Sequence, residues 1–468
     1  MKQLFTKKNC VVVIILGLFS FVFLGTEFYF DTLMAYLTDA RGVVNSQNIV
    51  LGASVPGFFC FHFINRKLRR VVMTVATAIY LFLMIMMSGH LSYRSLLIEG
   101  ITVFVILGLY GSSVCYQTIL SIKETKSLAR IVGISYAFGI AIQFISNNLL
   151  KSATIQMVLL IIAILILEVI VVLLKDDDII FSEADINVKD IKKSDDKKSL
   201  TTSLICITVL VILMTIIFST LDNAVTLVHA SGEFDIGQWP RLLLAVSAIV
   251  AGILFDINDR RFMVPIMYEI TLLSTISVII IQFGGVFVLG LFVFYISAGF
   301  LVVFFMTAYM DVSERTRCPD LWAGMGRAVN NACAFATSFL SVRFLTNENQ
   351  MEIMIFNVIL FVLISVVSGY YVFRIQSDER IRKVSEDKTK VADSVKGFDE
   401  FVLQFGLTDR EKNILQKLLY SDDDVQNIAA QLSISRTALY RHISTMNEKT
   451  DTKNRVGLIQ FYHSWIEE

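Results

Sequence analysis

The sequence predicts an all-α chain: a polytopic bundle of twelve membrane helices, six plus six, followed by a small four-helix soluble module. Three observations predict it. Apolar runs near twenty residues recur up to about Phe373 and then stop. About 20 helical residues span the roughly 30 Å of hydrocarbon in a bilayer, and runs this continuous satisfy their backbone in lipid only as helices. A charged stretch, "KDDDIIFSEADINVKDIKKSDDKKS", interrupts the runs midway, and after Leu407 short amphipathic segments with capping residues replace them. The bulk composition agrees, with 468 residues, 55% hydrophobic, and a mean hydropathy of +0.66.

The spans fall at roughly 10–30, 48–64, 71–89, 95–118, 129–149, 154–174, 200–221, 239–256, 262–282, 285–310, 325–345 and 352–374. They make a twelve-span membrane domain, 1–374, with halves at about 8–174 and 200–374 and a solvated loop at 175–199. The first run follows Lys2, Lys7 and Lys8 and resembles a signal peptide, but no clear small-residue cleavage site follows, so it reads as a retained span. Basic residues sort by side. Arg66, Lys67, Arg69 and Arg70, then Lys123, Lys126 and Arg130, then Arg260 and Arg261, then Arg315, Arg317 and Arg327 fall on one side; the opposite connections hold about one each. Lys/Arg enrichment marks inside loops, which predicts a multi-pass protein of the cytoplasmic membrane with both termini cytoplasmic. The formal net charge is zero and names no partner. Six scattered cysteines without a CxxC or Cys/His cluster read as small buried hydrophobes, not disulfides or metal ligands.

Each half carries a basic turn after its second span. In the second half it reads "GILFDINDRR", Gly252 to Arg261; in the first, "FINRKLRR" keeps Arg69 and Arg70 but has Asn65 where an acid would stand. Gly-x-x-x-Asp-x-x-x-Arg-Arg resembles the signature loop of the major facilitator superfamily, over roughly residues 8–374. Physically, Gly252 permits close helix approach, while Asp256, Arg260 and Arg261 make a charge clamp favouring one conformation. The resemblance implies that spans 1, 4, 7 and 10 line a central cavity. On those spans the outer ends hold Glu27, Asp31, Glu99 and Asp222, with Glu27 and Asp31 four apart on one helical face. Acids within spans are candidates for function, and without a matching base on those spans they point to a cation or proton as part of the ligand. Glu168 and Glu269 fall on spans peripheral in that fold and read as structural.

After Phe373, "RIQSDERIRKVSEDKTKVADSVKGFDE" suits a helical or partly disordered linker, 375–399. The module at 400–468 opens with Thr408 and Glu411 spaced as a capping box. Ile414, Leu415, Leu418 and Leu419 mark one face of its first helix. Asp424 caps a second, short helix with Ile428, Ala429 and Leu432 inward, Ser433 and Ile434 turn, and Ser435 caps a third with Leu439, Ile443 and Met446 buried. A fourth helix begins near Asn454 and carries Val456, Leu458, Ile459 and Trp465. Helix, short helix, tight turn, helix is the helix-turn-helix plan, whose helix after the turn enters the major groove. "LTDRE", "NIAAQLSIS", His442 and Lys449 resemble the LuxR/NarL-type DNA-binding domain. Asp422, Ala438 and Tyr440 depart from its usual Gly, Thr and Lys.

With Leu439, Ile443 and Met446 buried, the outward face of the third helix carries Arg436, Thr437, Tyr440, Arg441 and Ser444. Arg can pair bidentately with guanine, and hydroxyls and Lys can hold phosphate, so these residues, with His442 and Lys449, are the expected contacts to double-stranded DNA. Residues 400–468 hold eight Lys/Arg against ten Asp/Glu. A net acidic module binds weakly alone, which predicts a homodimer on DNA, with the fourth helix a dimer surface by family resemblance. No nucleophile–base set, phosphate loop or metal cluster points to an enzyme or a cofactor. The expectation is a one-component transcription regulator whose membrane domain senses a small molecule. The alternative is a secondary transporter of the major facilitator type with a regulatory tail. A flexible linker of about 30 residues reaches only about 30 Å, so the DNA must come to the membrane.

Overall fold

The computed structural model describes residues 7–89, 92–122, 127–150, 152–173, 194–232, 241–282, 287–346, 350–420 and 424–467. Helices and turns account for them, with no strand among the described residues. The chain forms two compact units, Met1–Val372 and Phe373–Glu468. Most of the loop expected at 175–199 lies outside the described residues.

The first unit is built from α1 (Lys7–Met34), α2 (Ala40–Phe63), α3 (Arg66–Ser88), α4 (Tyr93–Ser121), α5 (Leu128–Leu149) and α6 (Ala153–Glu168, continued by a π turn Val169–Leu173). Its second half holds α7 (Ser194–Ala230), α8 (Leu242–Phe255), α9 (Met263–Gln282), α10 (Phe287–Ser313), the single turn α11 (Pro319–Trp322), α12 (Met325–Thr346) and the start of α13 (Gln350–Gln404). Short polar side chains set several of the starts by accepting orphan backbone N–H groups. Asp39 accepts from Gly42 N at 3.0 Å and Asn65 from Lys67 N at 3.1 Å. Asn65, the residue that replaces the acid of the motif, is thus the cap of α3.

Eight of these helices are long and apolar enough to cross a membrane. The α2 and α12 spans fall short because they carry Gln47, Asn48, Arg327, Asn330 and Asn331, polar groups turned into the bundle. The lipid-facing pattern is plain on α3, where Val71, Val75, Ile79, Phe82 and Ile85 are exposed, and on α6, where Ile155, Ile162 and Ile166 are. Exposed apolar stripes of this length belong against hydrocarbon, not water. Where helices cross tightly, side chains are absent: a Cβ on Gly57 would fall 2.0 Å from the Val105 carbonyl oxygen of α4. The chain is a multi-pass membrane protein.

The second unit holds the end of α13 with α14 (Asp409–Tyr420), α15 (Val425–Gln431), α16 (Arg436–Thr450) and α17 (Arg455–Glu467). The span expected as a linker is helical throughout its backbone. The core of this unit begins at Phe398, two residues before the expected start at 400, because Phe398, Phe401 and Phe405 pack edge-to-face against Phe461, Tyr462 and Trp465 of α17. The Phe401 ring lies 5.1 Å from Tyr462 and 5.4 Å from Trp465.

Candidate ligand cavity and nucleic-acid interface

A cavity of about 180 Å³ lies within the first unit. Glu27 and Asp31 from α1 and Asp222 from α7 meet there, as do Gln47 of α2, Tyr136 of α5, Arg241 just before α8, and Arg327 with Asn330 of α12. Phe28, Phe218, Leu301 and Phe305 supply apolar wall. Three of the four expected acids are therefore brought together. Glu99 is not among the lining residues, since α4 contributes none. Glu27 accepts from Gln47 Nε2 at 2.7 Å. Glu168, read as structural, accepts from Thr74 at 2.8 Å, from Thr77 at 3.0 Å and from Tyr110. Glu269 is exposed.

Two arginines from outside the four spans expected to line the cavity bring bases to it. Arg327, counted with an inside loop from sequence, lies in α12, is only 7% exposed and lines the cavity. Its guanidinium carbon sits 5.2 Å from the Phe23 ring centre and 5.4 Å from that of Phe305. Arg241 donates to Gln143 Oε1 at 3.1 Å. Both arginines fall inside the spans read from sequence, 239–256 and 325–345. The signal was there: an arginine within a span is as expensive as an acid and as much a candidate.

At the turns between helices, ion pairs join the two halves. Asp256 directs Oδ1 to the Ala129 amide at 3.1 Å and Oδ2 to the Arg130 amide at 2.9 Å, so an acid of the second half caps α5 of the first. Arginine contacts to Asp256 are looser, 3.4 Å from Arg130 Nε and 3.9 Å from Arg260 Nη1. Arg260 reaches Asp311 Oδ1 at 2.6 Å, and Arg261 is exposed. Gly252 allows the approach: a Cβ there would fall 2.6 Å from the Ala129 oxygen. In the other direction, Arg69 Nη2 of the first half lies 2.6 Å from Asp320 Oδ2 of the second, and His62 Nδ1 lies 3.0 Å from Oδ1. Burial opposes ionisation of Asp320, but Arg69 and His62 outweigh it and hold the carboxyl below its usual range.

In the second unit, Thr408 and Glu411 close the capping box: Thr408 N donates to Glu411 Oε2 at 2.7 Å and Glu411 N to Thr408 Oγ1 at 3.4 Å. Asp424 caps α15 through Asn427 N at 2.8 Å, and Ser435 caps α16 through Ala438 N at 3.1 Å. Ser433 makes the turn with φ of 54°. Leu439, Ile443 and Met446 are buried, leaving Arg436, Thr437, Tyr440, Arg441 and Ser444 exposed and His442 half-buried. The Arg436 guanidinium lies 5.7 Å from the Tyr440 ring centre. Lys449 is placed elsewhere: its ammonium donates to Glu411 Oε2 at 2.7 Å and to the Gly406 carbonyl at 2.9 Å. Those bonds tie the third helix of the module to the start of its first. The pair outweighs burial and holds the Glu411 carboxyl below its usual range.

These two units define a class, a polytopic helical membrane bundle fused to a helix-turn-helix. Residues 406–462 match the luxR family of bacterial regulatory proteins, GerE. The bundle is similar to solved transporters: the human organic anion transporter MFSD10 (TETRAN), at 14% identity, TM-score 0.51, over 79% of this chain and 99% of that one. A bacterial homologue of the iron transporter ferroportin in its outward-facing state matches at 11% identity and TM-score 0.52, over 78% and 99%. An auto-inhibited POT family peptide transporter matches at 12% and 0.51, over 79% and 97%. At these identities the likeness is one of fold. Comparison with curated proteins gives no match. The chain thus joins a domain that matches the luxR family to a membrane bundle that shares the fold of these transporters.

Proposed function

We propose that the protein is a membrane-embedded one-component transcription regulator, in which a small molecule held in the cavity of the first unit governs how the second unit binds DNA. The observation that supports it is the pairing, on one chain, of a cavity walled with fixed charges and a recognition helix with five exposed side chains fit for bases and phosphate. A ligand shifts such an equilibrium only by its differential affinity for two states, and the ion pair Arg69–Asp320, which crosses between the halves, is what the two states would make and break. The basic loops support the reading that both termini, and hence the helix-turn-helix, are cytoplasmic.

The test is a reporter behind the promoter that the full-length protein occupies in cells, read against a panel of small molecules. Ligand-dependent output that disappears when Arg441 is replaced supports the reading. Binding of a small molecule with no change in DNA occupancy sinks it. The transporter alternative rests on the fold alone and is checked by uptake of the same compounds into vesicles holding the protein.

A further inference from the structure

We propose that the cavity takes a small ω-amino-acid-like zwitterion, its carboxylate on Arg327 and its ammonium between Asp31 and Asp222, joined by an apolar stem. This rests on the cavity being the ligand site of the reading above.

The anion end is argued from Arg327. The side chain is more than nine-tenths buried, and its Nε and Nη2 have no hydrogen-bond partner in the protein. Phe23 and Phe305 hold the guanidinium plane through their ring faces, which orients it but supplies no acceptor. A buried guanidinium with unmet donors is costly, and its planar fork matches a carboxylate. It is built for an arriving anion.

The cation end is argued from α1. Phe23, Glu27 and Asp31 repeat every four residues, so they lie on one face of the helix. Arg327 stands over Phe23; Glu27, one turn on, is engaged by Gln47; Asp31 is one turn further. Asp31 Oδ1 is buried without a hydrogen-bond partner, and Asp222 lines the same cavity from α7. Two acids, one with an open oxygen, suit an ammonium, and Arg241, which lines the same cavity, offsets part of their charge without filling that oxygen.

The helix also measures the ligand. Eight residues at 1.5 Å set Phe23 and Asp31 about 12 Å apart along the axis. That rise, less a hydrogen bond of about 3 Å at each end, favours a ligand whose two charges stand several ångströms apart, a short ω-amino acid rather than an α-amino acid. Leu51, Phe218, Leu301 and Val302 wall the space between with apolar surface. The volume of about 180 Å³ is below the roughly 300–1,000 Å³ of sites for drug-sized ligands, which fits a single chain of methylenes.

The test is thermal-shift and calorimetric titration of the full-length chain in detergent with glycine, γ-aminobutyrate and ε-aminocaproate. Each is paired with its methyl ester, a cation only, and its N-acetyl form, an anion only. The expected order is γ-aminobutyrate, then ε-aminocaproate, then glycine, with each singly charged form of the best binder at least tenfold weaker. In Arg327→Gln the advantage over the ester should vanish while that over the N-acetyl form persists. In Asp31→Asn with Asp222→Asn the reverse should hold. Arg327→Lys, which keeps the charge but not the fork, should give an intermediate preference and serves if the Gln variant does not fold. Equal binding of ester or N-acetyl form, no dependence on stem length, or no binding in the series overturns the proposal. A promoter response to a singly charged compound would keep the sensor and sink the zwitterion. Zwitterion binding without change in DNA occupancy would do the opposite.

Discussion

Arg69 on α3 and Asp320 on α11 meet across the two halves of the bundle, Nη2 to Oδ2 at 2.6 Å, with His62 on the other oxygen. The first-half motif lacks its acid at Asn65, and the second half supplies one. A charge-assisted hydrogen bond contributes about 1.5–3 kcal/mol, so Asp320→Asn should shift the balance between states by roughly tenfold or more and change reporter output without ligand. Exchanging the charges, Arg69→Asp with Asp320→Arg, should restore much of it. Unchanged output in the single variant, with protein level matched, would remove this pair from the switch.

Asp31→Asn and Asp222→Asn should each blunt the ligand-evoked response by tenfold or more, because both acids line the cavity. Glu99→Gln should leave it near the parent, since Glu99 is off the lining. A dose–response curve of the reporter decides, and a parent-like curve for both Asn variants would move the ligand elsewhere.

Replacing Arg441 by Ala should weaken DNA binding by about 1–3 kcal/mol and relax discrimination at one base position, as loss of a bidentate base contact does. Fluorescence anisotropy on matched and singly changed duplexes reads both quantities. An unchanged affinity would place the reading face elsewhere on α16.

Lys449→Met should act on stability rather than on reading. It leaves a buried carboxylate short of a partner, at a cost of about 1–3 kcal/mol to the module, and should not change which bases are preferred. The pH dependence has a definite sign. The folded carboxyl of Glu411 is held below its ordinary value, so its contribution is present above the unfolded pKa and is lost as pH falls through the folded one. Thermal melts of the module at neutral and acid pH should converge for parent and Lys449→Met only at the acid end.

A soluble fragment covering 395–468 should bind its site weakly, and more tightly when fused to a dimerising helix, given ten acids against eight bases over 400–468. Gel shifts showing no gain on dimerisation would remove the paired-module mechanism. The fragment keeps Phe398, which belongs to the module's core.

Helices and caps were legible because each is a local statement: Thr408 with Glu411, Asp424 and Ser435 announce helix starts within three residues of themselves. Leu439, Ile443 and Met446 were legible for the same reason, a 3.6-residue period. What was not legible is long-range. Lys449 has a basic side chain on a recognition helix, and only the fold reveals that Glu411, 38 residues earlier, holds it. Arg327 was counted by its charge as a loop residue, although its position inside a span already argued otherwise. The aromatic residues before Leu407 went unread, because Phe398, Phe401 and Phe405 make sense only once Tyr462 and Trp465 are beside them.

The cap that Asp256 places on α5 has a consequence for how freely this protein can drift in sequence. A carboxylate held by arginines constrains both partners, and either substitution leaves a charge stranded. Here the closest contacts are the amides of Ala129 and Arg130, which every residue except proline provides. The α5 end can therefore exchange side chains at little cost to the latch, while Asp256 cannot be exchanged at all. Covariation between those positions would be faint even though they touch, and a barred proline would be the only trace on the α5 side.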